Sequence, residues 1–193
     1  MSSSSCCGKT KKARYAHVLR VSVGVCCLLA GLSLTQFAAA AGWRADVPQA
    51  RLQGEADFRW FGFKVYHAAL WSPGASFDPA QPFALELTYQ RSIGRARIAR
   101  TSIDEIRRLF GDRYSEQQLQ RWEAEMNAAF TDVEEGDQLT GVYLPGIGCR
   151  FYNSKQLLAE VRDVEFAQAF FAIWLDPRSR DAQLRRRLLG ASP

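Results

Sequence analysis

Residues 56–71 read ADFRWFGFKVYHAALW, and how this stretch folds back on itself decides how the rest of the chain is read. Phe58, Trp60, Phe61, Phe63, Val65, Ala69 and Trp71 put apolar groups at both odd and even positions, the pattern of a strand pair covered on both faces. Gly62 punctuates the middle. A two-residue turn at Gly62-Phe63, with glycine first as a type II′ turn prefers, sets Arg59 opposite Tyr66 across the ladder. An arginine held among Phe58, Trp60 and Phe61 then needs an anion, because an unpartnered buried guanidinium costs on the order of several kcal/mol. The competing reading puts Arg59 on the solvent face, paired with Asp57 or Glu55.

Downstream, Pro73, Pro79 and Pro82 mark a loop, and Phe83, Leu85, Leu87 and Tyr89 alternate with Ala84, Glu86 and Thr88 as in a half-buried strand. Helical spacing follows Gly94, with Ile98, Ile103, Ile106 and Phe110 as its stripe. Ser115 is a natural N-cap, with Gln118 as the return partner of a capping box, for a helix whose inner face is Leu119, Trp122 and Met126. Residues 138–161 divide at Pro145-Gly146 and Asn153-Ser154 into three short strands. Asp163 caps a helix carrying Phe166, Phe170, Ile173 and Trp174, which Pro177 stops, and a last helix with Leu184 and Leu188 closes at Gly190. Strands, two helices, strands, two helices: this order predicts an α+β fold with an antiparallel sheet, and no internal repeat suggests more than one domain.

Residues 1–41 have the layout of a secretory signal: a basic start, an apolar run from Val21 to Leu34, and small residues at Ala39 and Ala41 that suit cleavage before Gly42. The chain is therefore expected in the periplasm, with residues 42–193 as the mature domain. An uncleaved anchor is the alternative, since Val21 to Ala41 is long enough to cross a bilayer. The leader carries five of the 25 basic residues and none of the 20 acidic ones, so the remainder is balanced and the pI near 9.1 belongs to the leader. Nucleic acid is not an expected partner, nor is a membrane once the leader is removed. Only Cys149 of the five cysteines lies beyond the leader, so no internal disulfide can form there; its expected role is a small buried hydrophobe on a strand.

Three stretches, Phe61-Gly62-Phe63-Lys64-Val65-Tyr66 with Leu70-Trp71, Gly141-Val142-Tyr143-Leu144-Pro145-Gly146 with Phe151-Tyr152, and Phe170-Phe171-Ala172-Ile173-Trp174-Leu175-Asp176-Pro177, resemble the bacterial periplasmic branch of the chalcone-isomerase-like family. The resemblance implies an open-faced antiparallel β-sandwich packed by helices, with a ligand cleft between them. Plant members cyclise chalcones to flavanones; related members bind fatty acids. In the enzymes an early-hairpin Arg and a Thr on its second strand polarise the substrate, positions at which this chain has Arg59 and Tyr66. The family's Tyr and Asn fall near Arg97 and Asp104, and its late-helix Thr near Phe170 or Phe171, so chalcone cyclisation is disfavoured.

The expected ligand is a small amphipathic carboxylate or phenol, fatty-acid-like, with Arg59 and Tyr66 on its head group and Tyr89 and Tyr143 as further hydroxyls. An isomerase or intramolecular lyase using the same cleft is the alternative, for which Tyr66 and His67 are the acid–base groups on offer and no catalytic residue is assigned. His67 is the one histidine after the leader and there is no cysteine pair, so no metal site is expected. No phosphate-cradling loop is present and no cofactor is expected. A protein-interaction module would need an exposed apolar stripe, which the sequence does not display.

Overall fold

Strand pairing between sequence neighbours builds the whole sheet. The computed structural model describes residues 42–191, in which β1 (Arg51–Trp60), β2 (Phe63–Ser72), β3 (Phe83–Tyr89), β4 (Gln138–Leu144), β5 (Gly148–Tyr152) and β6 (Leu157–Val161) lie side by side in sequence order, each antiparallel to the next. Helices α1 (Arg95–Phe110) and α2 (Glu116–Ala129) occupy the excursion between β3 and β4, and α3 (Val164–Leu175) and α4 (Ala182–Leu188) follow β6. The architecture is the expected α+β one: an open antiparallel sheet with the helices against it.

The caps read at Ser115 and Asp163 form, and Asp181 adds one that the sequence reading did not name. Ser115 Oγ accepts from the Gln118 amide at the start of α2, Asp163 from the Phe166 amide at the start of α3, and Asp181 from the Leu184 amide at the start of α4. The capping box at Ser115 is only half made, because the Gln118 side chain donates across to Glu165. Phe166, Phe170, Phe171 and Trp174 bury the α3 face against β5, where Phe151 meets Phe166 and Phe170 edge to face and Phe130 in turn meets Phe151. Cys149 lies fully buried on β5, where burial pushes its thiol pKa up and out of the reactive range.

The opposite face of the sheet is not bare. Residues 42–50 fold back over it, seating Trp43 and Val47 on Trp71, Ala84, Val142 and Tyr152. Asp46 fixes this flap, accepting from Arg150 at 2.6 Å and from the Tyr152 hydroxyl at 2.5 Å; Arg150 in turn reaches Glu160. The apolar residues on both faces of the sheet's middle strands thus find cover on both sides.

The end of the first hairpin departs from expectation. The turn is Phe61-Gly62, both with positive φ (47° and 81°), so Trp60 pairs with Phe63 and Arg59 with Lys64. A bulge then brings Phe58, not Arg59, opposite Tyr66. Two positive φ values match the twist of the flanking strands, as in a type I′ turn. Moving a turn by one residue exchanges the faces of the side chains beside it. β1 is moreover an edge strand, and Trp60, Phe61 and Phe63 stand 48%, 86% and 70% exposed instead of covered on both faces.

Candidate functional site

Between the inner face of the sheet and helices α1 and α3 lies a cavity of about 670 Å³. Phe58, Tyr66, Leu87, Tyr89 and Leu139 line it from the sheet, Ile98 and Ser102 from α1, and Phe170, Ile173 and Trp174 from α3. Polar groups gather around it: Arg91, Arg97, Asp104 and Glu105 from just after β3 and from α1, and Ser179, Arg180 and Asp181 from the connection between α3 and α4. Its size falls in the range of about 300–1,000 Å³ usual for small-ligand sites.

Aromatic packing positions its central hydroxyl. The Tyr66 ring stacks on Phe58 at 4.9 Å and meets Tyr89 edge to face at 6.0 Å, and the Tyr66 oxygen accepts a hydrogen bond from Trp174 Nε1 at 3.0 Å. With its lone pair engaged, the Tyr66 hydroxyl has its own proton to donate. Tyr89 is buried, and among the described residues its hydroxyl has no hydrogen-bond partner. Burial raises the pKa of both phenols well beyond the ordinary tyrosine value, a shift that the Trp174 hydrogen bond opposes at Tyr66 without reversing it. Both therefore stay protonated and keep a hydroxyl proton to donate.

The charges around the cavity are unequal. Burial raises the Glu105 pKa, but Arg180 at 2.7 Å and Arg108 at 2.8 Å more than reverse the shift, so it remains a carboxylate with both lobes engaged. Asp104 lies 3.6 Å from Arg107, and Asp181 is committed to capping α4. Arg91 and Arg97 have no carboxylate partner among the described residues, which leaves two guanidinium groups available to an anion.

Tyr66 and Tyr89 meet here, whereas Arg59 and Tyr143 do not. Arg59 points away from the cavity and is 53% exposed, with its guanidinium 3.7 Å from Asp57 and 3.4 Å from the Gly62 carbonyl oxygen. The Arg59–Tyr66 pair expected from the sequence is not formed, because the one-residue displacement of the turn and the following bulge give that place to Phe58. Tyr143 stacks on Phe83 at 5.0 Å and lines a separate, smaller cavity of about 410 Å³ with Phe77, Phe171 and Leu175. Phe83 is six residues along β3 from Tyr89, about 20 Å at the rise of a strand.

His67 likewise lies outside the cavity. It occupies the face of β2 opposite Tyr66, hydrogen-bonded through Nδ1 to Asp57 at 3.0 Å and through Nε2 to Glu55 at 3.4 Å. Lys64, at 2.7 Å, joins the same cluster, and its hydrogen bond followed by that of His67 holds the Asp57 carboxyl below its usual pKa. Arg91, and Trp174 as the partner of Tyr66, were not foreseen as site residues. The available signal was the Trp174 indole on the inner stripe of α3, a buried N–H that must find an acceptor.

A family described as chalcone isomerase-like matches residues 43–190. The chain belongs to the chalcone isomerase-like family. Within the curated proteins, this family member is 33% identical over 138 residues to an uncharacterized protein of Haemophilus influenzae (strain ATCC 51907 / DSM 11121 / KW20 / Rd), over 71% of its own chain and 66% of the relative's. It thus spans just under two thirds of that relative's length. Its fold is similar to the crystal structure of an Arabidopsis thaliana fatty-acid binding protein, with a TM-score of 0.57 and 11% identity, over 79% of this chain and 90% of the other. At that identity the likeness shows the chalcone isomerase-like fold alone. Among the described residues, no helix is long and apolar enough to cross a membrane.

Proposed function

We propose that this chalcone isomerase-like protein binds a small amphipathic acid, fatty-acid-like or phenolic, in the cavity between the sheet and helices α1 and α3. One observation carries the reading: the Tyr66 hydroxyl is oriented by Trp174, kept protonated by burial, and set among aromatic and aliphatic walls. A few placed polar groups in a mostly apolar hollow are the general chemistry of small-ligand sites. Arg97 and Arg91 supply the positive charge for a carboxylate or phenolate, in the place the sequence reading gave to Arg59. The Arabidopsis protein of similar fold is a fatty-acid binding protein, which supports the same class of ligand.

Proton-transfer chemistry has less to work with. An isomerase or intramolecular lyase needs a group that exchanges a proton near neutrality. The two tyrosines are held protonated, Glu105 is held ionised, and His67 is on the other face. The residues around the cavity favour holding a ligand over transforming it.

Native mass spectrometry and titration calorimetry with a panel of fatty and phenolic acids test the proposal. Tyr66→Phe is expected to weaken binding by about tenfold or more, as loss of a hydrogen bond to a charged group does. A protein that binds no member of the panel would sink the reading. The leader proposed for residues 1–41 lies outside the described residues. Its removal in the periplasm is checked by the N-terminus of the protein recovered from the host envelope, expected at Gly42.

A further inference from the structure

We infer that the tip of the β1–β2 hairpin is a membrane-docking device that inserts Phe61 and Phe63 into the interface of an anionic lipid bilayer. The tip violates two rules of a free surface at once. Phe61 is the first central residue of a turn with φ +47°, a place that favours asparagine, aspartate or glycine and that a bulky side chain occupies under strain. It is also 86% exposed, with Phe63 at 70% and Trp60 at 48% beside it. Its ring meets the edge of Trp60, at 5.1 Å. Nothing in the described fold offsets either cost, and backbone strain retained at an exposed apolar residue marks a site selected for something other than stability.

The chemistry around the tip selects the occupant. Trp60, half out of the protein with the Arg180 guanidinium 5.8 Å over its ring, has the amphipathic character that places tryptophan at the headgroup level of a bilayer. Arg59 and Lys64 face each other at the base of the turn and share one carboxylate, Asp57, so these three groups next to the tip sum to a positive charge, while Glu55 lies further down β1 against His67. Arg91, Arg95 and Arg97, after β3 and at the start of α1, have no carboxylate partner among the described residues. Lysine and arginine beside inserted aromatics reach lipid phosphates and hold a protein on an anionic surface. A convex tip, apolar at its end and basic at its base, matches a bilayer, whereas a protein groove would require a hollow shaped to receive it. Phe58 and Trp60 of the same hairpin also line the large cavity, so docking would bring that cavity up to the lipid surface.

The test uses the full chain recovered from the envelope and vesicles of phosphatidylglycerol brominated in the acyl chains, with phosphatidylcholine vesicles in parallel. Quenching of tryptophan fluorescence is expected with phosphatidylglycerol. It should be weaker with phosphatidylcholine, and its tip component should vanish in Trp60→Phe. Phe61→Asn creates Asn-Gly, a favoured type I′ turn, so this variant is expected to fold at least as stably as the parent and yet lose about tenfold or more in vesicle partitioning. Thermal unfolding of the same samples checks the fold. No quenching by phosphatidylglycerol, quenching that persists in Trp60→Phe, or equal partitioning of Phe61→Asn would each overturn the inference. Vesicle binding is read without a cavity ligand, so its failure is separable from failure of the ligand reading.

Discussion

The two halves of the space beneath the sheet are built to opposite specifications. Under β4–β6, Phe130, Phe151, Phe166 and Phe170 meet at ring-centroid distances of 5.0–6.4 Å, with Trp122 closing the far side, and the volume is filled. Under β1–β3 the same sheet and the same helix α3 enclose about 670 Å³. Phe170 is the partition: it packs on Phe151 and also walls the cavity. The filled half carries the stability that lets the other half stay hollow.

The largest expected effect lies in the filled half. Phe151→Ala removes a fully buried ring and should cost about 3–5 kcal/mol in denaturant unfolding, with no comparable loss of ligand affinity in the molecules that remain folded. If its cost were small, the division of labour between the halves would be wrong. The next comparison adds volume instead of removing it. Ala169→Leu, on the packed face of α3, should destabilise by about 1–3 kcal/mol through overpacking. Leu87→Phe, which grows into the hollow, should be nearly neutral in stability and should block ligand binding, as calorimetry on the two variants would show.

The smallest effect separates the cavity's margin from its floor. Glu105 ties α1 to Arg180, and its folded pKa lies below the ordinary value of 4.5. A carboxyl depressed in this way contributes stability that is fully present above its unfolded pKa and is lost as pH falls through the folded one. Hydrogen exchange at residues 178–181 should therefore accelerate as pH drops below about 4.5, relative to the intrinsic rate, before the filled half responds. Asp176, which Arg178 also holds below its ordinary pKa, acts at the same segment, so Glu105→Gln should reduce the pH dependence at residues 180–181 and leave the part that Asp176 contributes. Acid loosening that begins in α3 instead would reverse the assignment.

What the sequence made legible follows the range of the forces involved. Ser115, Asp163, Pro145-Gly146 and Pro177 act on residues within a few positions, and each ends or starts an element where it was expected to. The hairpin turn failed at a finer scale. Gly62 serves equally as the first residue of one turn type or the second of another, and the choice also depends on a bulge that only the finished ladder specifies. Arg59 left the site for that reason, and Phe58 replaced it. The flap of residues 42–50 was not foreseen, because Asp46 meets its partners Arg150 and Tyr152 across more than a hundred residues. Tyr66 and Tyr89 do line one cavity, yet the indole that orients Tyr66 lies 108 residues away, beyond any spacing rule.

The unbroken sequential order of the six strands has a kinetic corollary. Two three-stranded meanders, β1–β3 and β4–β6, close through short connections, and only the β3–β4 seam must wait for the excursion of residues 90–137 to be reeled in. Loop closure grows costlier with length and contacts of long sequence separation form late. Refolding should thus pass its highest barrier at that seam, with each meander already assembled on its own side.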